Sequence, residues 1–186
     1  MKEAFLGEDV KTRLLLSGVR ELSEYGARDF SLRRAAESAG VSCAAPYRYF
    51  KGKEEYVAEI ISYLASKWEL MANEISKAYK GSPRELLAEL AAANIRFWLS
   101  NKNLRTALIM SGEENSIVKP SVFDSRIAKE IALYLATLGI SDEEVEKRVT
   151  AVRAMLIGYV TLIGSGELPN NPETFLDIKH RTLSFL

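Results

Sequence analysis

The residues with the clearest chemical purpose lie between positions 31 and 53, where the sequence reads SLRRAAESAGVSCAAPYRYFKGK. Small side chains, tyrosines and cations are mixed there with few acids. Guanidinium and ammonium groups bind phosphate oxygens, and arginine also reaches the edges of bases. Small side chains let the backbone come close to the floor of a groove. Together these residue types favour contact with double-stranded DNA.

The charge of the whole chain restricts where such contact can occur. The 186 residues include 25 cations and 25 acids, so the formal net charge is zero. Any affinity for DNA must therefore come from a local excess of positive charge. Between residues 28 and 53 the acids are Asp29 and Glu37. The cations in the same range are Arg28, Arg33, Arg34, Arg48, Lys51 and Lys53.

Other kinds of chemistry lack the residues that they need. With one cysteine, Cys43, and one histidine, His180, the chain can form neither an internal disulfide nor a zinc site built from these residues. There is no phosphate-binding glycine loop, and Glu113 and Glu114 lie in a polar stretch without a partner base. We therefore expect a protein that is not an enzyme and needs no metal or cofactor. Without a signal-peptide pattern or a membrane-length apolar run, we expect a cytoplasmic location and no membrane partner.

The remaining sequence predicts an all-α protein of about nine helices. Hydrophobic residues make up 47% of the chain, which is enough for a core, and alternating β patterns are scarce. Apolar residues recur at steps of three and four, while Gly and Pro fall between the periodic segments. The predicted helices cover, to within a few residues, 8–25, 32–39, 42–50, 53–80, 84–100, 104–111, 121–138, 141–164 and 172–186.

The second and third of these helices predict a helix–turn–helix. Ala35, Ala36 and Ala39 permit two helices to approach closely at a steep angle. Gly40 supplies a turn conformation that a residue with a Cβ adopts only at a cost. The following helix would then present its small side chains, tyrosines and arginine outward.

Residues 12–57 resemble the DNA-binding domain of TetR-type (TetR/AcrR) transcriptional regulators. The resemblance rests on Gly26, the S-x-R start at Ser31, and the motifs A-x-x-A-G-V-S at 36–42, Y-x-Y-F at 47–50 and K-G-K-E-E at 51–55. Phe30 and Ala35 depart from the usual pattern. The resemblance implies a three-helix DNA-binding domain in residues 1–53. It also implies a helical ligand-binding and dimerisation domain in residues 54–186.

The resemblance implies a role for each matching residue. Ser31 and Arg33 would touch phosphate at the start of the second helix. Lys53 would hold the DNA backbone together with Tyr47, which is expected to have a packed ring, and Tyr49. The residues that would face bases are Cys43, Ala44, Ala45 and Arg48.

The rest of the chain carries candidates for a ligand pocket and a dimer interface. Aromatic and polar side chains that could surround an effector are Trp68, Asn94, Phe97, Trp98, Met110, Tyr134, Met155 and Tyr159. The alternative, that these aromatic residues are plain core, stays open. The last two helices carry long apolar stripes, which we expect to form a four-helix bundle between two copies. The stripe residues are Val149, Val152, Leu156, Val160, Ile163, Phe175 and Ile178.

The function that the resemblance implies is sequence-specific DNA binding by a transcriptional regulator. It would be a homodimer on a palindromic operator, because one recognition helix reads only a few base pairs. It would act as a repressor that an apolar or amphipathic small molecule releases from DNA. Two alternatives stay open: a helical enzyme, and a ligand-independent protein-interaction module that retains the helix–turn–helix shape.

Overall fold

The computed structural model describes residues 9–100 and 125–186, and this part of the chain is helical. Its seven α-helices are α1 (Val10–Tyr25), α2 (Leu32–Ser38), α3 (Lys53–Ala78), α4 (Pro83–Leu99), α5 (Ser125–Ala136), α6 (Asp142–Ser165) and α7 (Pro172–Phe185). A 3₁₀ segment, Pro46–Arg48, stands where the third helix was predicted. The all-α fold class is thus confirmed for these residues. The helix predicted at 104–111 lies outside the described residues.

Side-chain caps determine where most of the helices begin. An oxygen of the residue before each of five helices accepts a hydrogen bond from the backbone N–H three positions on, as N-cap residues do. These residues are Asp9, Ser31, Ser82, Ser141 and Asn171. At Ser141 the cap is one-sided, because the Glu144 side chain accepts a hydrogen bond from Nε of Arg148 at 2.7 Å. The reciprocal box forms instead at Ser82 and Glu85.

The described residues divide into two compact units, and the first contains residues 9–66. In it α1 packs against α2, and the core includes Leu14, Tyr56 and Ile60, all fully buried. A Cβ at Gly18 would lie 2.6 Å from Cδ1 of Ile60. Glycine at this position therefore lets α1 come close to the first half of α3.

The second unit contains residues 67–100 and 125–186, so that α3 has residues in both units. Helix α4 lies at its centre and contacts α5, α6 and α7. Polar contacts connect α4 to α7: Nζ of Lys179 lies 2.6 Å from Glu89, and the Arg84 guanidinium donates to the Leu183 carbonyl. The domain boundary predicted after residue 53 stays a prediction. The two units are defined by how residues pack, whereas the predicted domains are defined by what they bind. None of the described helices combines the length and hydropathy needed to cross a membrane.

Candidate DNA-binding surface

The corner after α2 has the geometry that the alanines and glycine predict. Ala35, Ala36 and Ala39 are buried, at 0%, 0% and 2% exposure. Gly40 has a φ of 68°, in the left-handed region that glycine favours. The N–H of Val41 donates to the Ala36 carbonyl at 3.1 Å and closes the turn. The chain therefore reverses here without a strained residue.

The segment that follows is shorter and tighter than the helix predicted for residues 42–50. The Ser42 carbonyl accepts from the N–H of Ala45 at 2.9 Å, and the Ala45 carbonyl accepts from Arg48 at 3.1 Å. In an α-helix the Ser42 carbonyl would need the N–H of residue 46, but Pro46 has none and its ring would press on that carbonyl. Bonds between residues three apart therefore replace the α-helical pattern.

Most of the predicted contact residues reach solvent. Cys43, Ala44 and Arg48 are exposed, and Tyr49 is 41% exposed. Tyr47 is 64% exposed, so the expectation of a packed ring was wrong. Ala45 is 8% exposed and lies in the core. The expectation that its side chain faces bases was therefore also wrong, because a buried methyl group cannot reach a base edge.

The two adjacent arginines of α2 have different partners. Nε of Arg34 donates to the carboxylate of Glu21 at 2.9 Å, and the same carboxylate accepts the backbone N–H of Ser31 at 3.0 Å. The Arg34 guanidinium also lies 4.2 Å from the centroid of the Tyr25 ring. Glu21 is 6% exposed, so this network attaches the start of α2 to α1. Arg33 is left on the outer face, with 79% of its side chain exposed.

Ser31 and Lys53 both have structural partners within the first unit. The hydroxyl of Ser31 caps α2 by accepting the N–H of Arg34 at 3.4 Å. Nζ of Lys53 donates to the Arg28 carbonyl at 2.7 Å, which connects the start of α3 to the loop before α2. Their contacts with phosphate stay predictions.

The aromatic residues beneath this surface anchor it. Phe50 is 2% exposed, and its ring stacks on Tyr56 with centroids 4.2 Å apart. The Tyr56 hydroxyl donates to the Leu14 carbonyl at 2.6 Å, and burial raises the pKa of this hydroxyl well above its ordinary value. Sequence reasoning missed the roles of Tyr56 and Glu21. The only indication in the sequence was that Tyr56 falls on the apolar face of α3 and Glu21 on that of α1.

Of the residues predicted to surround a ligand, those that the structure describes have different surroundings. Trp68 and Trp98 flank Phe97, with ring centroids 5.8 and 5.5 Å from it. Both tryptophans are core residues, whereas Phe97 lines an open cavity of about 310 Å³. Tyr134 lines another, of about 350 Å³. The Tyr159 hydroxyl donates to Asp177 on α7.

The other three residues of that predicted set differ in placement. Asn94 is fully buried, Met155 is half-buried on α6, and Met110 lies outside the described residues. A cation sits beside the Phe97 cavity: Arg96 lines it and also a neighbouring cavity of about 480 Å³. The Arg96 guanidinium lies 4.2 Å from the centroid of the Phe175 ring.

The stripe predicted to form the dimer interface lies inside the chain. Val149 is half-buried, and the remaining six stripe residues are at most 7% exposed. These six are Val152, Leu156, Val160, Ile163, Phe175 and Ile178. The assignment of these six side chains to a dimer surface was wrong, because they already pack within the second unit. The assignment of Val149 stays a prediction. On the opposite face of α6, Ile157 and Leu162 are 39% and 37% exposed.

A helix–turn–helix corner with outward-facing cations, in a helical chain, defines the class of helix–turn–helix DNA-binding proteins. Residues 14–60 match the family model described as bacterial regulatory proteins, tetR family. The predicted resemblance is confirmed for residues 14–60, which carry the DNA-binding domain of the TetR family, and the chain is a DNA-binding regulator. No curated protein matches the chain by sequence.

Solved structures share the fold of the chain at low sequence identity. A transcriptional regulator from Rhodococcus sp. Rha1 is 21% identical, with 94% of each chain covered and a TM-score of 0.72. A tetR-family regulator from Streptomyces coelicolor is 15% identical over 95% of this chain and 79% of its own, with a TM-score of 0.75. The fatty acid degradation regulator FadR from Bacillus halodurans is 15% identical, with 95% of each chain covered and a TM-score of 0.72.

Proposed function

We propose that the chain is a homodimeric transcriptional repressor that binds a palindromic operator and is released by a small molecule. The observation that carries the DNA-binding part is a group of exposed side chains around the corner: Arg33, Tyr47, Arg48 and Tyr49. Arg34, by contrast, is bound to Glu21. Arg33 and Ser31 would contact phosphates. Arg48 would read a base edge in the major groove, where arginine pairs with O6 and N7 of guanine.

Dimerisation is proposed through the outer face of α6 together with α7. Between residues 149 and 165 the one charged residue is Arg153, so this face of α6 is unusually apolar for an exposed helix. Ile157 and Leu162 stand on it, and Leu176 of α7 is 53% exposed. A two-fold pairing of these helices would make a four-helix bundle. Two half-sites on successive major grooves lie about 34–36 Å apart.

The proposed effector site is the pair of cavities beside Arg96. Met71, Ile75 and Phe97 give one of them an apolar wall, and Asn170 and Asn171 give the other a polar one. An amphipathic molecule would match this division. Because α3 has residues in both units, a displacement of its second half would act on the start that carries Lys53. Typical coupling between two such sites changes affinity by roughly 5–150-fold.

Selection of DNA from a random pool tests this function directly. We expect one enriched palindrome with two half-sites about one helical turn apart. Arg33→Ala and Arg48→Ala should each weaken binding to it, and Arg33→Ala should reduce the slope of log affinity against log salt by about one. Lys77→Ala is the matched control, since Lys77 is an exposed cation of the second unit. An absence of enrichment, or arginine variants that bind like Lys77→Ala, would refute DNA binding by this surface.

A further inference from the structure

One acid lies among the exposed cations of the DNA-binding surface. Glu37 stands on the last turn of α2 with 53% of its side chain exposed. Its Oε1 accepts a hydrogen bond from Nε of Arg33 at 2.9 Å, and the thiol of Cys43 donates to the same oxygen at 4.0 Å. The carboxylate therefore lies between α2 and the turn before the 3₁₀ segment, where both elements would approach DNA.

We propose that Glu37 is a specificity-determining residue that weakens binding to DNA in general and weakens binding to the operator less. The inference rests on the proposed DNA-binding function. It extends that function to an acidic residue, which would not bind phosphate. Asp29, the other acid of residues 28–53, is exposed before α2, outside the group formed by Arg33, Glu37 and Cys43.

The cost of Glu37 in a non-specific complex has two sources. Such a complex is held by phosphate contacts, and a phosphate beside Arg33 would also face the Glu37 carboxylate. Repulsion between two unit charges about 4 Å apart in water corresponds to roughly a fivefold change in an equilibrium constant. In addition, Arg33 must share its guanidinium between the phosphate and the carboxylate that already accepts from it.

On the operator this cost can be offset. A glutamate in the major groove accepts a hydrogen bond from the exocyclic amine of cytosine, a donor that the phosphate backbone lacks. A sequence that places cytosine beside Glu37 therefore satisfies the carboxylate, whereas other sequences leave it desolvated and unpaired. An unpaired charge of this kind is a common source of discrimination between partners.

The test compares Glu37→Gln with a control that removes the same charge elsewhere. Gln keeps the shape of the side chain. The control is Glu143→Gln in the second unit. Glu143 forms an exposed pair with Lys147 four residues later, and Glu37 forms one with Arg33 four residues earlier. Affinities are measured for the selected operator and for a scrambled duplex of equal length, at about 50 and 200 mM salt.

Relative to Glu143→Gln, we expect Glu37→Gln to bind scrambled DNA about 3–10 times more tightly, with a smaller change on the operator. The specificity ratio then falls, and the gain on scrambled DNA shrinks as salt increases. Glu37→Asp keeps the charge and should keep the ratio of the wild-type protein. Thermal unfolding identifies any variant whose fold is altered.

Two results overturn the inference. In the first, Glu37→Gln and Glu143→Gln behave alike on both duplexes. In the second, Glu37→Gln weakens binding to both duplexes, which would make Glu37 a simple contact residue. A wild-type protein without preference for any duplex refutes the proposed function itself. A wild-type protein that selects its operator while Glu37→Gln leaves the ratio unchanged refutes only the role of Glu37.

Discussion

At the residue scale, neighbouring side chains of the same type acquire opposite roles from their partners. Arg33 and Arg34 are adjacent on a seven-residue helix, yet Arg34 contacts the buried carboxylate of Glu21 while Arg33 extends outward. A helix turns by about 100° per residue, so adjacent residues face different surroundings. The sequence shows two cations, and only the position of Glu21 on α1 decides which one stays exposed.

Glu21→Gln tests this division of roles. The amide can still accept the N–H of Ser31, but it loses the ionic contact with Arg34, so we expect a loss of about 1–3 kcal/mol in the free energy of unfolding. Urea denaturation measures it. Glu24→Gln, an exposed position on the same helix, is the control. If the two variants unfold at the same urea concentration, Glu21 does not anchor α2.

At the element scale, helix starts follow local chemistry, and this made them predictable. Ser31, Ser141 and Asn171 cap three helices that were predicted close to their observed starts. A cap needs only its own side chain and an N–H three residues on. The segment after Ser42 was predicted less well. There the pattern of small residues suggested a helix, while the missing N–H of Pro46 and the nearby corner left room only for a 3₁₀ turn.

The capping box of α4 should make stability depend on acid pH. Hydrogen bonds from the backbone and side chain of Ser82 lower the pKa of Glu85. A carboxylate with a lowered pKa contributes its full stabilisation above the ordinary glutamate pKa of about 4.3, and loses it as the pH falls through the lower value. Glu85→Gln should therefore reduce the dependence of Tm on pH between about pH 5 and 3. Glu173→Gln, in the first turn of α7, is the control. A Tm profile for Glu85→Gln that matches the wild type would contradict this.

At the scale of the whole molecule, the apolar residues of α6 belong to two surfaces. The buried stripe with Val152 and Leu156 holds the second unit together, while Ile157 and Leu162 face outward. The proposed specific binding to DNA would need a second copy, because one recognition helix reads only a few base pairs. The outer face is therefore the one on which a proposed partner would dock.

Two substitutions one residue apart distinguish the surfaces. Ile157→Asp should give a monomer by light scattering with its helical circular dichroism retained, because the residue is 39% exposed. Leu156→Asp should instead abolish the fold of the second unit, because it buries an unpaired charge at a site with 0% exposure. An Ile157→Asp protein that remains a dimer would place the interface elsewhere.

The sequence by itself determined most of the helices, the glycine corner and the DNA-binding motif. Each depends on residues within a few positions of one another, through hydrogen bonds and periodicity that are local. Tertiary structure decided the rest: which arginine stays exposed, that Ala45 is buried, that the aromatic residues divide between a core and separate cavities, and which face of α6 packs inside. The physical reason is that an apolar stripe requires burial without specifying the partner. That partner can come from a helix distant in sequence, as α4 does for α6.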